Sequence, residues 1–364
     1  VFYKFEFRPY CRKFATPLNT FHGIWENRNG VILRLTDETG KVGWGEIAPI
    51  SWFGSETVEQ AVSFCRKLPL VITDKTVFSI SDELPACQFG FESALKMLRK
   101  NFSSEVSSVT QETVQPHSFK SKRVKKFGSR YRNREDNIAS TSSSFNKSVL
   151  LPAGKAALHQ WRNVWDIGSH TFKWKIGVYP VAEETFIFDL LAGELPAFTK
   201  LRLDANGGLS YHEAEIWLQK CDNINKNDDI DLTIEFIEQP LSVNRFSEML
   251  ELSRSYTTKI ALDESVATLQ QLQSCYEQGW RGIFVIKAGI IGSPSRLRQF
   301  CLTHNIDSVF SSVFETSIGR EAALSLATEL SQQERAVGFG VNHYFAEDEQ
   351  ICLDNLWKEA SSIS

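Results

Sequence analysis

The sequence has no long apolar run, no cysteines at CxxC or CxxxH spacing and little net charge, and each absence removes a class of function. A membrane-spanning helix needs about 20 consecutive apolar residues, and no stretch approaches that. The opening VFYKFEFRPY also lacks the basic-then-apolar pattern of a secretory signal. Seven cysteines (11, 65, 87, 221, 275, 301, 352) form an odd, scattered set, which argues against a disulfide framework or a zinc site and for a reducing compartment. A formal charge of -4 gives no general attraction to nucleic acid or an anionic membrane, which leaves a small molecule as the expected partner. The expectation is a soluble cytoplasmic protein, or one of the plastid stroma in a eukaryotic phototroph; the oligomeric state stays open. The chain opens on Val1, which leaves room for residues or a targeting segment ahead of it.

What is present is core. With 364 residues, 42% hydrophobic and 12% aromatic, the chain can form two domains or one large barrel. In residues 1–100, two strand-like runs flank the turn-forming DETGK, and ETVEQAVSFCRKL and CQFGFESALKMLRK carry apolar residues at helical spacing, so a small α+β domain is expected. Residues 101–148 differ in kind: Ser/Thr-rich and poor in aliphatics, they hold nine basic residues against four acidic ones. That makes the stretch +5 and the remainder -9. Such a composition does not offset its ordering entropy, so disorder is expected, with the basic run solvated rather than bound to nucleic acid.

From residue 149 to about 340 a strand-then-helix rhythm takes over. Strand runs recur at TFKWKIGV, KLRLDANG, TIEFIEQP, KIALDES, IFVIKAG, SVFSSVF and AVGFGV. Taking Lys175, Asp204, Glu238, Asp263, Lys287, Ser312 and Gly338 as markers, successive gaps are 29, 34, 25, 24, 25 and 26. This is the pitch of βα units, and so many in a row predict a (β/α) barrel. In that fold the strand C-termini converge on one mouth, where the markers place their polar groups. Asp204, Glu238 and Asp263 then supply three carboxylates from successive strands, a set of hard oxygens suited to Mg²⁺, with Mn²⁺ as a substitute. Side chains alternate along a strand, so Lys173 and Lys175 face the same way. Like charge and desolvation predict that at least one of the two has a depressed pKa and serves as a base. Lys287 comes from the opposite side of the barrel.

These segments, with LLPAG (150–154), VIKAGIIGS, SSVFETSIG, GWGEIAP and SWFGSET, resemble the enolase superfamily and, within it, the o-succinylbenzoate synthase family of menaquinone and phylloquinone biosynthesis. The resemblance covers nearly the whole chain outside 101–148. It implies a (β/α)7β barrel under an N-terminal capping domain that the C-terminal tail (341–364) joins. It further implies that Lys175 is the catalytic base, Lys173 its electrostatic partner and Lys287 the lysine on the other face of the substrate. Asp204, Glu238 and Asp263 are the implied metal ligands, and Arg202 orients the lysines or forms a structural ion pair. Ser311, Ser312 and Glu315 are the implied substrate-pocket residues. Cap loops around residues 16–21 and 52–55 match segments that close over the substrate, with Trp52 and Phe53 alternatively in the core. The implied reaction is Mg²⁺-dependent syn dehydration of 2-succinyl-6-hydroxy-2,4-cyclohexadiene-1-carboxylate to 2-succinylbenzoate, a hydro-lyase step.

Two rivals remain. One keeps the site and changes the outcome: an N-acylamino acid racemase, a dipeptide epimerase or a cycloisomerase. Dipeptide epimerases tend to carry a DxD-type motif late in the barrel, and none appears near SSVFETSIG. The other is a binding protein that uses the basic insertion on an inert barrel, which need not keep every lysine and carboxylate.

Overall fold

The computed structural model describes residues 1–20, 23–109, 146–165, 168–331, 335–341, 344–346 and 348–358. The N-terminal part begins with β1 (Phe2–Thr20), β2 (Gly23–Thr36) and β3 (Val42–Ile47), then α1 (Val58–Lys67), β4 (Val71–Thr73), α2 (Asp74–Phe78) and α3 (Pro85–Val109). Its antiparallel sheet runs in the order β3-β2-β1-β4. The DETGK segment is the β2–β3 turn: the Asp37 carboxylate accepts from the Thr39 and Lys41 backbone N–H groups at 2.9 and 3.0 Å. Val31, Leu33 and Leu35 on β2 pack with Phe5 and with Phe91, Ala94, Leu95 and Leu98 of α3. Glycine permits the close approach. A Cβ at Gly43 would lie 2.2 Å from the Ala94 carbonyl oxygen, and one at Gly45 2.0 Å from that of Gly90.

Helix α3 continues to Val109, so the expected domain edge at residue 100 falls inside it. Of residues 101–148, expected to be disordered, 101–109 are helical and Ser148 begins a strand, while 110–145 lie outside the described residues.

The barrel strands are β5 (Ser148–Leu151), β6 (Thr171–Lys175), β7 (Thr199–Asp204), β8 (Leu232–Glu238), β9 (Ile260–Leu262), β10 (Ile283–Ile286) and β11 (Ser308–Phe310). They form one sheet in sequential order, each parallel to the next. The AVGFGV run makes only two isolated bridges, Lys147–Val337 and Ser311–Gly338, and these close the barrel between its two ends. The helices are α4 (Ala157–Trp165), α5 (Val181–Glu194), α6 (Tyr211–Asn225), α7 (Phe246–Ser255), α8 (Leu269–Glu277), α9 (Ala288–Ile291), α10 (Pro294–His304) and α11 (Ser317–Leu330). Strand alternation separates two apolar layers. Trp174, Leu201, Leu203 and Ile237 face the helices, whereas Phe236, Ala261, Ile283, Val285 and Val309 fill the barrel interior.

Helix α12 (Glu349–Lys358) returns to the cap. Arg12 pairs with Glu349 at 3.0 Å, and Trp357 meets Trp44 edge-on at 5.0 Å. At the seam, Glu46 of β3 is fully buried and accepts from the Thr316 and Gly319 N–H groups at the start of α11. The carboxylate thereby offsets the positive end of that helix and locks the cap to the barrel.

Candidate active site

The strand C-termini open into a cavity of about 300 Å³. Lys173, Lys175, Asp204, Asp263 and Lys287 line its barrel side, with Ser311 and Ser312 at the seventh-strand turn and Gly338 on the closing AVGFGV run; Trp25, Trp52, Phe53 and Phe314 cover it. A larger hollow of about 730 Å³ lies between the cap sheet, α3, α11 and α12 and holds none of the predicted residues. Its cationic side chains are already paired: Arg34 with Glu6, and Lys96 and Arg298 with Glu329.

The two lysines of TFKWKIGV share a face, as their spacing requires, and have different surroundings. The Lys173 ammonium lies 2.7 Å from Asp204 Oδ2 and 2.9 Å from Glu238 Oε1. Burial alone would lower its pKa, but Asp204, Glu238 and Asp263 hold it well above the ordinary lysine range. The expected depression is thus reversed for Lys173, because carboxylates rather than the second lysine dominate its field. Lys175 is half-buried at the cavity wall and has neither a hydrogen bond nor an ion pair among the described residues. Lys287, across the mouth on the strand-end of β10, is ion-paired with Asp263 and lies 3.9 Å from the centre of the Phe53 ring.

Asp204, Glu238 and Asp263 are 9%, 2% and 3% exposed. Burial and the charge of Asp204 push Glu238 above the ordinary carboxylate range, and burial with Glu264 beside it raises Asp263. Among the described residues the acids do not close into a ready cage; Lys173 stands between two of them and Lys287 against the third. The donor set nonetheless fits a divalent cation. The acids are hard, crowded and poorly solvated, and Glu264 leaves a buried Oε2 without a partner.

Glu264 and Asn206, joined at 3.2 Å, both line the cavity and were missed in the sequence. Their signal was the second acid of IALDES and the Asn of LRLDANGG. Gln239, of the IEFIEQP motif, was also missed. Its buried Oε1 accepts from the Asp263 and Ser265 N–H groups at 3.1 and 3.2 Å, fixing one strand end against the next.

One open alternative closes and two expectations change. Arg202 is 1% exposed and does not line the cavity; its Nε donates to Glu235 at 2.7 Å, because one residue is bulged between β7 and β8 and brings Glu235 beneath it. It is therefore in the structural ion pair, on the strand position directly opposite Lys173. Glu315 also points away from the cavity, accepting from the Ser312 hydroxyl at 2.9 Å and the Val313 N–H at 2.6 Å, so it shapes the turn that carries Ser311 and Ser312. Burial pushes Glu315 up to about 7, and Glu46 adds to the effect. Of the cap segments, 52–55 does reach the cavity through Trp52 and Phe53, while 16–20 belongs to β1 and Phe21 lies outside the described residues. The wall there is Trp25, another residue the sequence did not single out.

The family model "Enolase C-terminal domain-like" matches residues 156–359, and "MenC, N-terminal domain" matches 21–98. The o-succinylbenzoate synthase of Thermosynechococcus vestitus is 36% identical over 94% of this chain and 93% of its own length. That of Photorhabdus laumondii is 28% identical over 81% and 76%. Among solved structures, o-succinylbenzoate synthase from Thermosynechococcus elongatus, complexed with Mg in the active site, superposes with a TM-score of 0.78 at 34% identity over 98% of this chain and 99% of that one. The L-Ala-D/L-Glu epimerase of Bacillus subtilis, with a TM-score of 0.65 at 18% identity over 94% and 91%, shares the fold. Barrel, cap and both family models agree over nearly the full length, and the chain belongs to the o-succinylbenzoate synthase family of the enolase superfamily.

Proposed function

We propose that the cavity dehydrates 2-succinyl-6-hydroxy-2,4-cyclohexadiene-1-carboxylate to 2-succinylbenzoate with Lys175 as base and acid. The chain is a carbon–oxygen lyase and its cofactor is Mg²⁺. Asp204, Glu238 and Asp263 would hold the ion, which when bound supplies Lewis-acid stabilisation of negative charge on the substrate's ring carboxylate.

The observation that carries the assignment of roles is the contrast between the lysines. Lys173 is ion-paired with two carboxylates, whereas Lys175 stands at the cavity wall with no partner among the described residues, so Lys175 is the lysine of that face placed to exchange a proton with the substrate. It removes the proton α to the ring carboxylate, and the electron pair delocalises toward that carboxylate. The resulting Lys175 ammonium returns the proton to the departing 6-hydroxyl, which leaves as water as the ring becomes aromatic. Lys287, ion-paired with Asp263 and set against the face of Phe53, stabilises the intermediate from the other side. The aromatic cover limits water at the reacting face.

The test is turnover by the purified protein of the cyclohexadiene substrate with Mg²⁺, following the aromatic product. Chelation should abolish the rate and Mg²⁺ or Mn²⁺ restore it, and Glu238→Gln should weaken Mn²⁺ binding directly. Epimerisation of a dipeptide with no aromatic product would move the chain to the rival reaction.

A further inference from the structure

Arg28 lies outside the cavity wall, and we propose that it is the positioning residue that fastens the aromatic cover to the barrel. Its residue is 1% exposed, on β2 between Trp25 and the strand core. Four hydrogen bonds from the guanidinium go to backbone carbonyls. Nε donates to Val313 O at 2.9 Å, Nη1 to Asn29 O at 2.7 Å and Pro49 O at 2.9 Å, and Nη2 to Ala48 O. Among the described residues none of its hydrogen bonds goes to a carboxylate. A buried cation spent wholly on carbonyls is costly unless the bonds fix something, and charged donors make such bonds strong.

What they fix is the seam above the cavity. Ala48 and Pro49 lead into the 3-10 turn Ser51–Phe53, which carries Trp52 and Phe53 over the mouth. Val313 separates Ser312 from Phe314, whose φ of +60° places an aromatic residue in the left-handed region and marks a turn held under strain. Trp25, whose ring centre is 5.6 Å from the guanidinium, meets Trp52 edge-on at 5.0 Å and Phe314 at 5.5 Å. One side chain thus ties β2, the 48–53 loop and the 312–316 turn together. The planar fork is what reaches all three; a lysine brings its donors to a single point. The contact of Phe53 with Lys287 depends on where this turn sits, so Arg28 sets the surroundings of a catalytic lysine without touching the substrate. Glu46 anchors the domain seam separately through Thr316 and Gly319, so replacing Arg28 loosens the cover and leaves the domains docked.

This inference deepens the proposed function, and its first readout does not depend on it. Full-length wild type, Arg28→Met and Arg28→Lys, all with Mg²⁺, are compared by amide hydrogen exchange, steady-state kinetics and Mn²⁺ affinity. Exchange in 50–54 and 313–315 should quicken about tenfold in Arg28→Met and less in Arg28→Lys, with Thr316 and the rest of the cap sheet unchanged. KM should rise about tenfold or more with a smaller fall in kcat, and Mn²⁺ affinity should stay within about twofold because the carboxylates lie on other strands. If Arg28→Met fails to fold, Arg28→Lys carries the same comparison. Unchanged exchange in the two loops, acceleration spread across the whole cap, or local acceleration with KM unmoved would each overturn the proposal. Local acceleration in a protein that does not dehydrate the diene would support the fastening and overturn the reaction instead.

Discussion

The two walls of the cavity are built on opposite principles. The barrel wall is charged and rests on strands: its lysines and carboxylates sit at the ends of β6 to β10, and each side chain's direction is fixed by the alternation of a sheet buried on both sides. The cap wall is aromatic and rests on the edge of β2 and a short turn, where Trp25, Trp52 and Phe53 meet edge to face. The charges of the proposed metal and proton-transfer groups sit at strand ends of the barrel sheet, and the aromatic cover sits on the start of β2 and a 3-10 turn. Lys287 is where the two walls meet, held by Asp263 on one side and by the Phe53 face on the other.

Replacing Lys175 with Ala puts the comparison under its hardest strain. Loss of one free amine should lower turnover by about 10³-fold or more with little change in Tm or Mn²⁺ affinity. A rate near wild type would move the proton transfer off the barrel wall. Next in size is the turn that joins the walls. Glu315 is raised to about 7 from an ordinary 4.5, so the folded state binds its proton more tightly than the unfolded chain does. Its contribution is complete below about pH 4.5 and fades as pH rises through 7, at a cost on the order of 3 kcal/mol. Glu315→Gln should flatten that dependence, with the largest stability gain over wild type at pH 8; equal gains at pH 5 and pH 8 in chemical denaturation would contradict the buried-carboxyl explanation.

Phe53→Ala removes an aromatic face from Lys287 and opens the cover. A loss of about 1 kcal/mol in transition-state stabilisation, or roughly fivefold in kcat/KM, is expected with Mn²⁺ affinity unchanged. A metal-affinity change of similar size would mean that the walls are not separable. The smallest effect is expected for the basic segment. Replacing 110–145 with a Gly/Ser link should alter stability by about 1 kcal/mol and leave kcat/KM within about twofold, since loop closure depends weakly on length and no assigned residue lies there. A loss of orders of magnitude at unchanged Tm would make that segment part of the cover.

The barrel wall was legible in the sequence and the cap wall barely so. Strand runs at a 24 to 34 residue pitch, five of them ending in a charge before the loop, located Lys175, Asp204, Asp263 and Lys287 on one mouth, because both the βα repeat and the two-residue strand period are local properties. Glu315 had the right address and the wrong partner, and the two roles open for Arg202 could not be told apart: a tight turn and a one-residue bulge decided them, and neither leaves a period to read. The state of Lys173 could not be read either, since its two carboxylates come from strands 31 and 65 residues further along, and only barrel closure makes them its nearest charges.

The sequence by itself determined the fold class, the order of the strands and which polar residues stand at their ends, since hydrophobic periodicity and repeat spacing are written residue by residue. Tertiary structure decided the rest: which lysine is paired and which is free, that Arg28 bonds to carbonyls 20, 21 and 285 residues away, and that Trp25 covers the mouth. Those outcomes depend on distances between segments far apart in the chain, and a local pattern carries no information about such distances until the sheet has closed.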